Sequence, residues 1–457
     1  MPQTTKNDLI GHPSIIQAVR KLEQMNPDKF ELYFMRKTST RIDSKNQEVD
    51  SLTRSEDVGL SIRLIRDKKL GFSFTTSLEK DAIERAVQSA FDVTAFMPHD
   101  EAVDLYSFGT SIYPSVDTHD SRGLAAPIEQ KIELAKRLEA QCRAADKRVT
   151  AVRAASFGET AYEVYMVDSS GEHISHQSTL YSNSITCKAE QGGDSQMGGE
   201  FGFSNFLDGL EPEKVGKMAA ELATELLGAG TAPTMKCPGI IRNSVVSELL
   251  EFLSSSFSAE EIEKGRSMLA TPTSSKQGTR VFSEELTIID DGLMAGGYAT
   301  SPFDGEGVPS TQTTLVDGGF FSGILYDGYY ARKKGKTSTG SAVRSIKSPP
   351  TIGTSNLYIK SGKKTLHQLY DGISKGILIT DLMGVHTANS VTGDFSLGAS
   401  GILIENGKLT RPVKGFAVAG NVLEVFRQMT DIGNDLRFFG SVGAPSIRLR
   451  EISVSGS

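Results

Sequence analysis

The sequence predicts an α+β protein of two domains, with N-terminal helices packed on a mixed or antiparallel sheet and a β-rich C-terminal domain with few helices. A chain of 457 residues is too long for one ordinary hydrophobic core, which favours two domains of about 200 residues each. The first half alternates amphipathic helix patterns with strand patterns. The second half, beyond residue 233, holds 29 of the 45 glycines, which indicates many turns between short strands. We therefore expect domains at residues 1–230 and 235–457.

Apolar residues recur at helical spacing in four segments of the first half, and each segment has a start signal. The first segment begins at Pro13, the third at Pro127 and the fourth at Pro212. The second segment follows Thr76 and Glu79, which have the Thr-x-x-Glu spacing of a capping box. These signals predict four helices before the domain boundary.

Strand patterns occupy the segments between these helices. The predicted strands lie at residues 30–34, 58–64, 70–74 and within 150–188. A turn at Asp168–Gly171 predicts that the last of these segments is a hairpin. We expect residues 191–202, which contain five glycines, four of them in two pairs, to form a Gly-rich loop.

Short strands and a few helices are predicted for the second half. The expected strands lie at residues 240–241, 285–289, 356–360, 376–381 and 447–454. Helices are expected from a cap at Asn243, from Ser258 with Glu261 at capping-box spacing, from Thr365, and over 422–429. Asn406–Gly407 lies between apolar runs and predicts a two-residue hairpin turn.

The stretch from Ser301 to Gly340 organises this half. It contains a glycine-rich acidic loop at 304–307, then two strand patterns joined by a tight turn at Asp317–Gly319, and a basic run at 332–336. Because glycine exposes the backbone, the loop is either a surface that handles peptides or an ordinary tight turn. The basic run, with Arg344, could grip carboxylates, and a solvated loop is the alternative.

Composition excludes several classes of protein. A net charge of −7 gives no general attraction to the phosphate backbone, so nucleic-acid binding is disfavoured. No apolar run reaches the 18 or so residues of a membrane span, and the polar start lacks the apolar region of a signal peptide. Three widely spaced cysteines form neither a CxxC pair nor a disulfide framework. We expect a cytoplasmic protein with reduced thiols and no membrane partner.

Common catalytic and cofactor motifs are absent from the sequence. None of the seven histidines lies in a His-Glu-x-x-His pattern, and His173 and His176 would point to opposite faces of a strand. A Gly-x-Ser-x-Gly nucleophile elbow and the Gly-rich phosphate loops are also missing. The residues alone therefore predict no catalytic group and no metal site in this chain.

Several linked motifs of the second half give a resemblance to a known family. They are Ser301–Pro309, Ser338–Gly340, Thr392–Ser396, Ala419–Asn421 and Ala444–Ser446. In order and approximate spacing this set resembles the TldD/PmbA family, also called modulator-of-gyrase proteins. The similarity is densest from about residue 235 to the C-terminus. It implies a role in metalloprotease action and peptide maturation.

The resemblance also indicates which branch of the family to expect. The active branch carries His-Glu-x-x-x-His on a helix near the start of the second domain, with a later cysteine as a further zinc ligand. Here that region begins at Asn243 and has no histidine, and no cysteine follows Cys237. The chain is therefore similar to the PmbA/TldE branch. The resemblance implies no cofactor in this chain, zinc in a TldD-like partner subunit, and a cytosolic complex that cuts unfolded or leader-bearing peptides.

For such a complex we expect two segments to line the peptide path, where an extended peptide could add to a strand edge. Structural turns are the alternative for both segments. The candidate residues are Phe303, Asp304, Gly305, Glu306, Gly307, Asn389, Gly393 and Asp394.

Two other functions stay open at this stage. One is a non-enzymatic regulator or adaptor of a protein partner. The other is an independent metalloenzyme with a site assembled from His386, Asp381 and Asp394. A homodimer is possible under each reading, because an apolar surface could serve either assembly.

Overall fold

A computed structural model describes residues 13–456 of the chain. The polar start at residues 1–12, from which we expected no signal peptide, lies outside the described residues. Within the described part, no helix has both the length and the apolar character needed to cross a bilayer.

The described part of the first half, from residue 13 onward, folds into five α-helices and six strands. The helices are α1 Pro13–Met25, α2 Lys80–Val93, α3 Ser121–Ala125, α4 Ile128–Ala145 and α5 Pro212–Glu225. The strands are β1 Lys29–Lys45, β2 Glu48–Arg66, β3 Lys69–Thr75, β4 Val149–Asp168, β5 His173–Gln191 and β6 Asp194–Ser204.

These six strands form one antiparallel sheet in the order β3-β2-β1-β4-β5-β6. Helices α1 and α2 cover β1 to β3. Their buried apolar side chains, such as Leu22 and Ile83, belong to one apolar cluster with strand residues such as Phe34. Helices α4 and α5 cover β4 to β6 through a second cluster that includes Leu138 and Ala219. The amphipathic pattern explains this arrangement, because each helix buries one apolar stripe against a sheet face.

The second half contains five helices and fourteen strands among the described residues. The helices are α6 Asn243–Ser254, α7 Ala259–Glu263, α8 Gly328–Lys334, α9 Leu366–Tyr370 and α10 Val422–Arg427. The strands are β7 Met235–Ile241, β8 Ile288–Asp291, β9 Gln312–Asp317, β10 Phe320–Phe321, β11 Ala342–Ser345, β12 Ser348–Ile352, β13 Leu357–Ile359, β14 Lys375–Met383, β15 Asp394–Glu405, β16 Lys408–Asn421, β17 Met429–Ile432, β18 Arg437–Phe439, β19 Val442–Ala444 and β20 Ile447–Ser455.

The strands of the second half form two larger sheets and one small ribbon. One sheet has the order β10-β9-β8-β13-β19-β18, and its β13–β19 pair is parallel. The other has the order β16-β15-β14-β7-β20-β17, and a further pairing of β16 with β20 closes it into a barrel. β11 and β12 form the ribbon. A single large apolar core joins α6 to both sheets.

The α+β fold class is confirmed, with helices on an antiparallel sheet followed by a β-rich region. The predicted hairpins at Asp168–Gly171, Asp317–Gly319 and Asn406–Gly407 all form. All strands of the first sheet end before residue 205, and all strands of the other sheets begin after residue 234. The domain limits near residue 230 stay a prediction.

The prediction of a Gly-rich loop at 191–202 is wrong, because this segment forms the turn between β5 and β6 and much of β6 itself. Gly192 and Gly193 form its turn with φ of 60° and 86°. Gly198 lies on β6 against α5, where an added Cβ would be 2.3 Å from the nitrogen of Ala223. These glycines therefore serve a tight turn and close helix packing rather than a flexible loop.

The expected helix caps differ in detail. Glu79 is the N-cap of α2 without a side-chain cap, so the capping box with Thr76 does not form. Arg242, not Asn243, is the N-cap of α6. Ser258 precedes α7 without a side-chain cap. Capping motifs therefore located these helix starts to within a few residues but did not correctly predict the capping hydrogen bonds.

Candidate functional site

The loop that carries Phe303 lies between β8 and β9 and packs against the first sheet. Phe303 is buried, and its ring meets Tyr113 edge-on at 5.9 Å between centroids and His176 at 6.4 Å. Met166 and Ile174 of the first sheet belong to the same apolar cluster. The acidic loop of the C-terminal half is thus held on the N-terminal half by aromatic packing.

A cavity of about 460 Å³, which we call the histidine cavity, borders Phe303 on the first sheet. Its wall also contains His119, His176, Glu163 and Tyr113. Burial, with the nearby His119, lowers the pKa of His176 to about 4, so its imidazole is neutral at pH 7. The Nδ1 atom of His119 has no hydrogen-bond partner among the described residues. This wall suits a side chain with an apolar body and a polar group.

A second cavity of about 250 Å³, the loop cavity, shares Phe303 and His176 with the first. Asp304, Gly305 and Arg344 also line it. Of the five predicted loop residues, Phe303, Asp304 and Gly305 therefore line a cavity. Glu306 and Gly307 line neither cavity. Their contact with a peptide stays a prediction.

Glu306 instead joins a buried group of charges between the two halves of the chain. We call Glu31, Arg63, Glu306 and Arg344 the charge cluster. Arg63 Nη2 lies 2.5 Å from Glu31 Oε2, and Arg63 Nη1 lies 3.0 Å from Glu306 Oε1. Arg344 Nη1 lies 2.5 Å from Glu31 Oε1. The side chains of all four are at most 8% exposed.

Strand register explains how the cluster forms. Glu31 on β1 lies directly opposite Arg63 on β2, so the two are a cross-strand pair. Burial alone would raise the pKa of Glu31, but the guanidinium groups of Arg63 and Arg344 hold that pKa below its ordinary value. Two positive and two negative groups then compensate one another in a water-poor contact. The charge cluster therefore fixes the position of the 303–307 loop.

Asp304 gives a pH-dependent contribution to stability. Burial and the charge of Glu306 raise its pKa from an ordinary value of 3.8 to about 7. The folded form thus holds a proton that the unfolded form has lost, so this stabilisation is full below about pH 4 and is lost as the pH rises through about 7. We expect the stability advantage of the parent over Asp304→Asn to shrink from pH 4.5 to 7.5 in urea denaturation. An advantage that grows over this range would contradict the assignment.

Gly307 is packed where a side chain cannot fit. Its φ is +81°, and an added Cβ would lie 2.3 Å from Cε1 of Phe108. We expect Gly307→Ala to cost about 2 to 3 kcal/mol, from left-handed strain plus the clash. Gly171 is the matched control, because its φ is +83° and no atom lies within 4 Å of the added Cβ. Equal losses in urea denaturation for Gly171→Ala and Gly307→Ala would show that packing at Gly307 contributes nothing.

The second predicted segment, residues 389–394, is a turn that leads into β15. Asn389 Oδ1 accepts bonds from the backbone nitrogens of Val391 and Thr392, and Asn421 Nδ2 donates to Asp394 Oδ1. Gly393 has a φ of +84°. The hydrogen bonds of Asn389 and Asp394 and the positive φ of Gly393 explain why a structural turn needs these three residue types. The segment lines neither the histidine cavity nor the loop cavity, and its place on a peptide path stays a prediction.

Comparison with known families matches nearly the whole described chain. Residues 30–93 match PmbA/TldA metallopeptidase domain 1, residues 122–227 match the central domain, and residues 234–456 match the C-terminal domain. The chain belongs to the PmbA/TldD family.

Relatives in this family are similar along their full length. The metalloprotease PmbA of Escherichia coli O157:H7 is 26% identical over 442 residues, which cover 96% of this chain and 95% of the relative. A Thermotoga maritima protein described as a modulator of DNA gyrase superposes with a TM-score of 0.86 at 25% identity, over 97% of this chain and 99% of that one. TldE of Thermococcus kodakarensis superposes with a TM-score of 0.86 at 23% identity, over 97% and 100% of the two chains, and has the same fold.

The metallopeptidase description of the PmbA/TldD family implies a metal, but the described residues do not fit one. Helix α6, where the resemblance places His-Glu-x-x-x-His, contains no histidine. Across residues 13–456, no three side chains of His, Cys, Asp or Glu are grouped so that they could hold a metal ion. His386, Asp381 and Asp394 are therefore not brought together as ligands. Cys237 is buried and is not part of any such group of side chains among the described residues.

The sequence analysis predicted neither the charge cluster nor the place of His119 and His176 together in a cavity wall. One signal for the cluster was present, since Glu31 interrupts the otherwise apolar run Phe30–Phe34 that we expected to be a strand. A charge inside a buried strand needs a partner. Arg63 and Arg344 could not be identified as its partners from their distant positions in the chain.

Proposed function

We propose that this chain is the non-metal subunit of a heteromeric zinc metallopeptidase in the cytosol. The observation that carries the proposal is α6, which occupies the region of the zinc-binding helix but lacks histidine within a fold that matches the family from end to end. A metal-bearing family member would supply the zinc. The three free, buried cysteines are consistent with a reducing compartment.

In this proposal the chain contributes binding surface rather than catalytic groups. Phe303, Asp304 and Gly305 would contact the peptide from the wall of the two cavities, while Glu306 would hold the loop in place. Residues 389–394 are the second proposed contact. The natural substrates would be unfolded or leader-bearing peptides, because an extended backbone is what strand edges and open cavities can bind without a fixed sequence.

The test is reconstitution from the host. A tagged copy of the chain is used to recover companions from its own lysate, and the zinc content of the complex is measured. We expect a companion of similar size with His-Glu-x-x-x-His, zinc in the complex, and peptide cleavage that needs both chains. Replacing the first histidine of the companion should abolish cleavage without preventing assembly.

Two results would overturn the proposal. Stoichiometric zinc and cleavage by this chain alone would make it an independent metallopeptidase. Recovery of the chain as a metal-free homodimer, with no companion and no cleavage, would remove the protease role.

A regulator or adaptor is the second candidate function. It is favoured by the description of the Thermotoga maritima relative as a modulator of DNA gyrase. In that case a protein partner would bind, but peptide cleavage would not increase when the two proteins are mixed.

A further inference from the structure

The barrel of the second half contains a cavity of about 280 Å³, which we call the barrel cavity. It shares no lining residue with the histidine cavity or the loop cavity. Its floor consists of buried apolar side chains from the barrel strands and from α6. They include Ile241, Leu249, Ile379, Leu382, Phe395 and Leu449, each at most 8% exposed. Such a floor gives water few hydrogen-bond partners and favours an apolar group.

The cavity lies where the seam of the barrel, the contact between β16 and β20, opens. Only two residue pairs join the strands here, and they end at Val418 and Val454. Among the described residues, the next segments, 419–421 of β16 and 451–453 of β20, are not paired with each other. All six of these residues line the cavity instead. The barrel wall therefore has an opening with strand main chain on both sides, which is the arrangement that accepts an added extended chain.

Two motifs of the sequence analysis, Thr392–Ser396 and Ala419–Asn421, meet at this opening. Asn421 Nδ2 donates to two oxygens of the first motif, at 2.8 Å and 2.9 Å. Gly420 lies directly opposite Phe395 in the β15–β16 pair, and an added Cβ would be 3.2 Å from Cζ of that ring. A larger residue at position 420 would crowd the ring. These motifs therefore fix one edge of the opening and leave room there for the ring of Phe395, which lines the cavity.

The charges around the opening are paired. Lys236 Nζ lies 3.6 Å from Glu451 Oε1, and Arg427 Nη2 lies 2.5 Å from Glu424 Oε2. A charged ligand would find no unpaired opposite charge among these groups and would lose its hydration. Main-chain amides need only hydrogen bonds, which the unpaired segments of the seam can provide. The rim thus favours a peptide with an uncharged side chain over a fatty acid or another charged amphiphile.

The volume of the cavity indicates how large that side chain is. An apolar cavity of about 150 Å³ lined by aliphatic and aromatic side chains holds a benzene molecule. At about 280 Å³, the barrel cavity has room for an aromatic side chain together with its methylene group. An aliphatic side chain would leave more of the apolar wall without contacts, and dispersion energy would be lost.

We propose that the barrel cavity binds the aromatic side chain of an extended peptide whose main chain pairs with the open seam. The side chain would enter the cavity between residues 419–421 and 451–453. This inference rests on the proposed function, since it names the class of peptide that the complex would take. It also gives the second proposed peptide contact a role, because the turn at 389–394 carries the two oxygens that accept from Asn421.

The test compares labelled twelve-residue peptides of serine and glutamine that differ only at one central position, which is phenylalanine, leucine, alanine or aspartate. Binding to the purified full chain is measured by fluorescence anisotropy. We expect the phenylalanine peptide to bind at least about tenfold more tightly than the alanine peptide, because it buries a ring. Leucine should be intermediate, and aspartate should bind most weakly. Equal affinity for phenylalanine and alanine, or no binding of either, would overturn the proposal.

N-methylation of the peptide tests the pairing of the main chain. The phenylalanine peptide is made with N-methyl groups on the residues at both sides of the phenylalanine, which removes two donors and leaves every side chain unchanged. It should bind about threefold to tenfold more weakly, because strand pairing uses these donors. Unchanged affinity would overturn the proposed pairing with the seam.

Two variants close the opening from its two sides. Ala419 and Ser453 are exposed residues that line the cavity on β16 and β20. Ala419→Trp and Ser453→Trp should each remove the preference for phenylalanine, because the indole ring is large enough to fill the entrance. The control, Thr410→Trp, adds the same ring at an exposed position of β16 that does not line the cavity, and should keep the preference. Retention of the preference in both cavity variants, or its loss in the control, would overturn the proposal.

Urea denaturation checks that each variant is folded, as its exposed position leads us to expect. All of the binding measurements use the chain without companion or zinc. Failure of the protease proposal would therefore appear in reconstitution, and failure of the aromatic subsite would appear in peptide binding.

Discussion

Arg63→Met is expected to lower the free energy of unfolding by about 3 to 5 kcal/mol, because it leaves two carboxylates buried without their shared cation. Arg63 bonds Glu31 through Nε and Nη2 and Glu306 through Nη1. Methionine fills much of the volume of arginine, so the loss reports the charge rather than a cavity. Urea denaturation of the parent and the variant at pH 7 measures it.

Arg54→Met is the matched control for this prediction. Arg54 lies on the same strand, β2, but is exposed. Its replacement should change stability by no more than about 0.5 kcal/mol. If Arg63→Met were as mild as Arg54→Met, the charge cluster would not be what holds the 303–307 loop to the first sheet.

The fold could be predicted to the extent that it depends on local residues. Turns such as Asp168–Gly171 and Asn406–Gly407 need only two to four residues of suitable type, and both form as expected. The closure of the barrel could not be predicted, because it pairs β16 with β20 across intervening elements. The β6 hairpin was missed for a different reason. Its paired glycines are typical of loops, but here one pair forms the tight turn and Gly198 is required by α5, which packs against it.

In the candidate site too, features that depend on local residues could be predicted, and features that depend on distant contacts could not. The motif around Phe303 drew attention to a segment of which three residues line cavities, and its contact with a peptide stays a prediction. The role of Glu306 could not be predicted, because its partner Arg63 lies 243 positions away in the sequence. Pairing of buried charges over such a distance depends on tertiary packing, which no local pattern encodes.

The packing role and the peptide role of Phe303 can be separated by two substitutions. Phe303→Ala should cost about 3 to 5 kcal/mol, because Phe303 is buried between Tyr113 and His176 and the space it leaves would join the two cavities. Phe303→Leu keeps most of the apolar volume and should cost less than about 1.5 kcal/mol. Urea denaturation of the isolated chain measures both values.

The leucine variant then tests the peptide path within the complex. Leucine has no aromatic face, so a peptide that stacks on Phe303 should be cleaved with a kcat/KM about tenfold lower, which corresponds to about 1.4 kcal/mol of lost transition-state binding. Assembly with the companion should be unaffected, since Phe303→Leu retains the fold. A normal kcat/KM for Phe303→Leu, together with a large stability loss for Phe303→Ala, would assign Phe303 only to packing between the two halves of the chain. The peptide path would then have to lie elsewhere on this chain, and residues 389–394 would be the proposed contact left to test.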